Sequence, residues 1–327
     1  SRGLGDVYKR QVTYDTARIK GNQCKLFPFD YRYSLLTDVH KCGKNKIMKI
    51  LCTIILFQPN WENLESLLED MSKYIDNFFL WDNTPGGCGK DNFLGYIISR
   101  KENAGCGNIG LSQAYNEAWI YASKYGYDYL MTMDQDSRWR GLETYISLIE
   151  SHENKTQFNS VYFVSTTAGN SVPFTCIDSG GINSGAVIPI RFLNKIGGYN
   201  TDFFVDAIDD WLILEAKKNN LQCFVVGNSQ IVQKYGEGGY GKFLGKKFKV
   251  TNYSSMRLYG VMRNYLILWH NYSLPVELKR KIVKDFFLTW TIKILLGEKD
   301  KIKKIKAIFT GVFDGLFQRK SRRVKFL

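Results

Sequence analysis

A chain of 327 residues with 44% apolar and 23% charged side chains can bury a sizeable core, as one large α/β domain or two modest ones, and is not a disordered polymer. Seven cysteines without a C-x-x-C pair and only three histidines argue against a disulfide framework or a Cys/His zinc site and point to a reducing compartment, and no uncharged apolar run reaches the roughly 18 residues of a membrane span. The net charge of +14 is concentrated: Ser273–Leu327 carries fifteen Lys/Arg against five Asp/Glu, so the rest of the chain is close to neutral.

Residues 1–11, SRGLGDVYKRQ, read as a translated sequencing-library adaptor and are set aside from the fold. Residues 12–47 lack helix or strand periodicity and read as a leader, either translated upstream sequence or an extension. Met48 then opens the apolar, β-branched run MKILCTIILF, and the native domain is expected to begin there. Lys49–Phe57 is predicted as a buried strand. Asn63–Tyr74 places Leu64, Leu67, Leu68 and Met71 at helical spacing. Asn77–Trp81 is a second strand, ending in the turn DNTPGG, and Tyr96–Ser99 a third. The loop ENAGCGNIG leads into a helix at Leu111–Lys124, and Asp128–Met133 is a fourth strand that ends in DQDS. Val161–Thr166 is another strand, GINSGAVIPI a strand entered through a Gly/Ser turn, and Leu221–Val226 the last. A helix runs to about Asn219 after FFVDAIDDW, and Tyr253–Tyr272 is an amphipathic helix. This alternation predicts an α/β fold, a mostly parallel sheet with helices on both faces.

In such sheets ligands bind at the carboxyl ends of the strands, where Asp82, Asn83, Asp134 and Asp136 fall. Asp134-Gln135-Asp136 places two carboxylates one residue apart in the turn after a buried strand, a pattern able to hold Mg²⁺ or Mn²⁺ with bound phosphates, although an Asp-rich turn reads the same way. Asp206, Asp209 and Asp210 crowd three carboxylates into five residues. They read either as a solvated helix start or as a site containing a general base.

Taken in order, ILFQPN, FFLWDNT, NIGLSQAYNEA, YDYLMTMDQDS, INSGAVI, IGGYNTDFFVDAIDDW and YGVMRNYLIL resemble a family 2 glycosyltransferase of the GT-A fold (a Rossmann-like nucleotide-diphospho-sugar transferase fold), closest to a bacterial rhamnosyltransferase-like branch. The resemblance spans Met48 to Asn271, within a domain read as 48–272. It implies that Phe57 and Asp82 meet the donor nucleoside and that Asn108, Gly110 and Asn116 line the donor site. It makes Asp134 and Asp136 a divalent-cation D-x-D, with Asp136 the direct ligand. Asp209 falls at the position of the acceptor-activating base, with Asp210 as a neighbouring acid, and Arg263 at a position facing the diphosphate. The implied reaction is inverting transfer from a nucleotide sugar, dTDP-rhamnose on the branch resemblance or a UDP-hexose as the alternative. The acceptor would be a lipid-linked or oligosaccharide glycan of the bacterial surface, met at the cytoplasmic face of the plasma membrane. Trp211, Glu215 and Gln233 depart from the family pattern and leave room for a degenerate, non-catalytic nucleotide- or glycan-binding protein.

The segment 273–327 mixes lysines with aromatic and aliphatic residues. At helical spacing Phe309, Val312, Phe313 and Leu316 share a face. This reads either as a basic amphipathic tail lying on an anionic membrane or as a helical subdomain packed on the body with a solvated basic face. No recognised nucleic-acid motif accompanies the charge, and no nucleic-acid partner is expected.

Overall fold

The computed structural model describes residues 48–88, 97–102, 108–156, 160–232, 239–243, 246–250 and 252–319. The readings of 1–11, 12–47, Gln233 and the last eight residues lie outside them.

The chain opens on β1 (Ile50–Leu56), α1 (Trp61–Ser72), β2 (Phe78–Asp82) and β3 (Ile97–Glu102), followed by α2 (Leu111–Lys124) and β4 (Tyr129–Asp134). These four strands pair in parallel in the order β3-β2-β1-β4. Every residue of β1 is buried, because the pleat sends alternate side chains into two different cores. Leu51 and Ile55 enter a core shared with Ala114, Tyr115 and Ala118 of α2. Ile50, Cys52, Ile54 and Leu56 enter one shared with Leu64, Leu67, Leu68 and Met71 of α1. The continuous apolar run that marked β1 in the sequence is therefore a strand covered by helices on both faces.

Beyond β4 come β5 (Arg138–Arg140), α3 (Leu142–Thr156), β6 (Ser160–Val164), β7 (Phe174–Cys176), β8 (Ala186–Pro189) and α4 (Ile190–Ile196). Then follow α5 (Ile208–Lys218), β9 (Gln222–Val226) and β10 (Gln230–Val232). The main sheet has eight strands in the order β3-β2-β1-β4-β8-β6-β9-β7. It is parallel through β4, but β8 runs antiparallel to both β4 and β6. That reversal brings the loop before β8 back over the carboxyl end of β4: Gly185 N–H donates to the Thr132 carbonyl at 2.6 Å, and Thr132 Oγ1 donates to the Asn183 carbonyl at 2.5 Å.

The chain continues through the hairpin β11 (Gly239–Phe243) and β12 (Lys246–Val250) to α6 (Ser255–Asn271) and α7 (Val276–Lys281). A π-helical stretch (Ile282–Thr289), α8 (Trp290–Gly297) and α9 (Lys301–Leu316) complete the described chain. Residues 47–327 form one compact unit. Leu278, Ile282, Ile294 and Ile308 are buried in the same core as α2 and α5. The described residues from Ser273 to Arg319 are thus packed on the body through these side chains.

Candidate active site

A cleft of about 570 Å³ opens beside the carboxyl end of β4. One wall carries Asp134 and Asp136, and another the segment Gly180–Ser184. The loop Val205–Asp209, entering α5, contributes a third. Arg257, Val261 and Tyr265 of α6 close it, with Tyr253, Lys281 and Trp290. The acidic pair and Asp209, far apart in sequence, therefore share one cavity.

The local chain aims each acid. Gln135, between the two aspartates, does not face ligand. Its side-chain oxygen accepts from Phe57 N–H and its amide donates to the Phe57 carbonyl, both at 2.9 Å, which ties the ends of β4 and β1 together. Asp134 N–H donates to Ser184 Oγ at 3.1 Å, and Ser184 Oγ is bonded in turn to Ser137 Oγ at 2.9 Å. With its neighbours so held, Asp134 is half-buried and Asp136 exposed at the cleft. Two carboxylates suit a hard cation such as Mg²⁺ or Mn²⁺, which keeps several waters and completes its shell with substrate phosphates. Among the described residues no group of three or more His, Cys, Asp or Glu gathers to form a cation cage. The donor set thus fits a cation that arrives with a diphosphate better than one held by protein alone.

Asp209 lies in the first turn of α5, preceded by Ala207 at φ 68°, an uncommon backbone for a residue with a Cβ. Burial in the cleft floor, and then the charge of Asp210 next to it, push the Asp209 carboxyl up to about 7. The Asp210 N–H, donating to Asp209 Oδ1 at 3.0 Å, and the positive charge of Lys281 pull the other way without prevailing. A carboxyl poised there is matched to proton transfer at neutral pH. Asp210, in contrast, is buried and fully used: Oδ1 accepts from Gly180 N–H at 2.9 Å and Oδ2 from the Tyr265 hydroxyl at 2.7 Å. It joins the loop before β8 to α6 across the cleft.

The remaining sequence-picked residues separate into those near the cleft and those behind it. Phe57 is 43% exposed at the end of β1, beside Gln135. Asp82 is buried, and its oxygens accept from Thr84 N–H and Cys88 N–H, each at 2.8 Å. Burial would raise its pKa, but the bonds from Cys88 and Thr84 outweigh it and hold the carboxyl below its usual value. Asn108 is exposed and accepts from Gly110 N–H at 2.8 Å. Gly110 has φ 87°, and a Cβ there would sit 2.6 Å from the Phe204 ring and 2.7 Å from its carbonyl oxygen. Gly110→Ala is therefore expected to cost about 3 kcal/mol, from clash plus backbone strain, read as a lowered unfolding midpoint.

Two of these residues sit away from the cleft lining. Asn116 is not at the cleft surface: its amide donates to the Tyr199 carbonyl at 2.9 Å and its oxygen accepts from Tyr199 N–H at 2.6 Å, clamping α2 to the turn after α4. Arg263 is 1% exposed. It donates to the Arg319 carbonyl at 2.9 Å, the Asp202 carbonyl at 3.2 Å and Asn264 Oδ1 at 2.8 Å, so it fastens α9 behind the cleft rather than facing it. The cation that does line the cleft from α6 is Arg257, paired with Asp206 at 3.3 Å and lying 4.4 Å from the Tyr253 ring centre. An arginine in the first turn of a helix opposes the helix dipole. That misplacement was the available sequence signal. Nothing local marks Lys281 or Trp290, because the long-range packing of the C-terminal helices delivers them. Trp211 and Glu215, the departures from the family pattern, point elsewhere: Trp211 packs on Tyr199 and Phe203, and Glu215 accepts from the Tyr272 hydroxyl at 2.5 Å.

No protein-family model and no curated protein sequence matches the chain. Among solved structures, S. aureus TarS 1-349 in complex with UDP-GlcNAc is similar over 85% of this chain and 83% of its own, at 16% identity and a TM-score of 0.52. The crystal structure of S. aureus TarS is similar over 86% of this chain, at 14% identity and a TM-score of 0.49; the chain spans half of its length. At such identities the likeness speaks to the fold, which is the GT-A type expected from the ordered motifs.

Proposed function

We propose that this protein is a glycosyltransferase that moves a sugar from a nucleoside diphosphate to a hydroxyl of a growing bacterial surface glycan, with inversion at the anomeric carbon. The observation that carries the reading is the meeting, in one cleft of a GT-A fold, of the Asp134/Asp136 pair with an aspartate whose carboxyl is raised to about 7. The donor is a pyrimidine nucleotide sugar: dTDP-rhamnose on the motif resemblance, with a UDP-sugar as the reading favoured by the ligand of the TarS 1-349 complex.

In this mechanism Asp209 accepts the proton of the acceptor hydroxyl as its oxygen bonds to the anomeric carbon and the bond from that carbon to the diphosphate oxygen breaks. Asp134 and Asp136 would hold Mg²⁺ or Mn²⁺, which supplies Lewis-acid stabilisation of the departing diphosphate. Arg257 and Lys281, which also line the cleft, add positive charge for the departing diphosphate. Asp210 keeps the walls in register through Gly180 and Tyr265.

The deciding experiment is thermal unfolding with UDP, dTDP and GDP, each with and without Mn²⁺. A ligand at about 100 times its dissociation constant adds roughly 2.7 kcal/mol, a shift of several degrees. A Mn²⁺-dependent shift with UDP or dTDP, absent in Asp136→Ala, is the expected result. No shift with any nucleotide from folded protein overturns the donor site.

A further inference from the structure

Helix α9 carries apolar residues on both its inner and its outer face. The face it turns toward the body holds Lys304, Ala307, Ile308, Gly311, Asp314 and Gly315. A Cβ on Gly311 would lie 2.5 Å from the Tyr259 carbonyl oxygen and one on Gly315 2.8 Å from that of Arg263, so these glycines let α9 press directly on the backbone of α6. The polar members of this face have partners within the protein: Lys304 pairs with Glu298 at 2.7 Å, and Asp314 Oδ2 accepts from the Tyr259 hydroxyl at 2.9 Å. Ile308 enters the core, with Ile305 and Val312 packed against it, but four other large apolar residues point outward. Ile302, Phe309, Phe313 and Leu316 recur at helical spacing along one stripe and are 88, 68, 44 and 59% exposed. A helix packed on a protein in water ordinarily turns a polar face to solvent.

The stripe is not isolated. Ten of the seventeen exposed large apolar residues among the described ones lie between Val276 and Phe317, including Leu288, Ile292 and Leu295. Exposed apolar surface concentrated in this way marks an interaction face. Its border is cationic: Lys299, Lys303 and Lys306 are exposed, and the Arg319 guanidinium lies 4.5 Å from the Phe313 ring centre. The single acid of α9, Asp314, is buried. A second copy of the chain seated here would set lysines against lysines, whereas anionic lipid would neutralise them. Among the described residues no helix is long and apolar enough to cross a membrane, so contact is shallow.

We propose that the outer face of α9, with Leu288, Ile292 and Leu295, docks into the headgroup–acyl boundary of an anionic bilayer. The face and its test stand independently of the transferase reading. Lys281 and Trp290, which line the cleft, belong to the same helical run, 276–297, as Leu288, Ile292 and Leu295.

The test is co-sedimentation of the full chain with vesicles of phosphatidylcholine and phosphatidylglycerol at about 3:1, against phosphatidylcholine alone. Binding to the anionic vesicles only, released by about 0.5 M NaCl, is expected. Lys299→Gln/Lys303→Gln/Lys306→Gln should bind about a hundredfold more weakly, at about fivefold per lysine. Phe309→Asn/Phe313→Asn, at exposed positions that leave the buried face untouched, should lose binding while keeping the wild-type unfolding midpoint. Absence of wild-type binding overturns the proposal, as do variants that bind like the wild type. A concentration-dependent dimer that the Phe309/Phe313 variant dissolves, without vesicle binding, would assign the face to a second copy and overturn it as well. Nucleotide-induced thermal shifts on the same samples report the transferase reading separately.

Discussion

Asp209→Asn is expected to lower kcat by about 10²–10⁴-fold while leaving the nucleotide-induced thermal shift intact, because it removes the proton acceptor and spares the residues proposed to hold the diphosphate. The wild-type rate should rise with pH through about 7, as the Asp209 carboxyl ionises, and the variant's residual rate should lack that limb. Stability should move the opposite way. The folded state keeps the Asp209 proton up to about 7, while the unfolded chain releases it near its ordinary value of 3.8. Between those values the unfolded state binds fewer protons, so wild-type stability falls as pH rises across that window. Asparagine removes the cost of a charge held in the cleft floor. The variant should therefore unfold several degrees higher than wild type at pH 8 and at nearly the same temperature at pH 4. Gain of stability with loss of turnover is the signature of a residue kept for chemistry. Equal turnover in the variant would remove Asp209 from the mechanism.

The contrast between legible and illegible parts of this molecule has a physical basis. Strand β1, helix α1, helix α2 and strand β4 follow directly from period, because each buries a face that its own residues declare. The helix α3, the short α4, the long-range pair β5–β10 and the hairpin β11–β12 are not anticipated. Val232 pairs with Arg138 across nearly a hundred residues, and such pairing leaves no local trace. Likewise, the antiparallel course of β8 depends on the bonds of Asn183 and Gly185 to Thr132, which belong to different segments. At the site, the acids were readable because carboxylates crowded within a few residues repel one another unless solvated, paired or protonated. Their supports were not. Arg263 and Asn116 drew notice as polar residues in a suggestive motif, yet both spend their donors on backbone carbonyls behind the cleft. The outer stripe of α9 was half visible: the spacing of Phe309, Val312, Phe313 and Leu316 shows an apolar face, but only packing shows that Val312 leans on the core and that the glycines face inward.

Asp210 separates the chemical from the architectural role of the acidic cluster. It is buried, and its two oxygens satisfy Gly180 N–H and the Tyr265 hydroxyl. Asp210→Ala would strand both donors, and leaving a buried donor unmade costs about 1–3 kcal/mol each. A loss of roughly 2–6 kcal/mol in unfolding free energy is expected, with kcat falling because the Gly180–Ser184 wall is no longer tied to α6. Asp210→Asn is the informative partner. It keeps shape and one acceptor but removes the negative charge that helps raise Asp209. The pH–rate profile should then shift to lower pH, with activity persisting where wild type has already lost it. If Asp210 were instead the proton acceptor, Asp210→Asn would abolish the pH-dependent limb rather than move it, and Asp209→Asn would leave it standing. Measuring both profiles side by side, with urea unfolding as the stability control, assigns the two neighbouring carboxylates to their separate tasks.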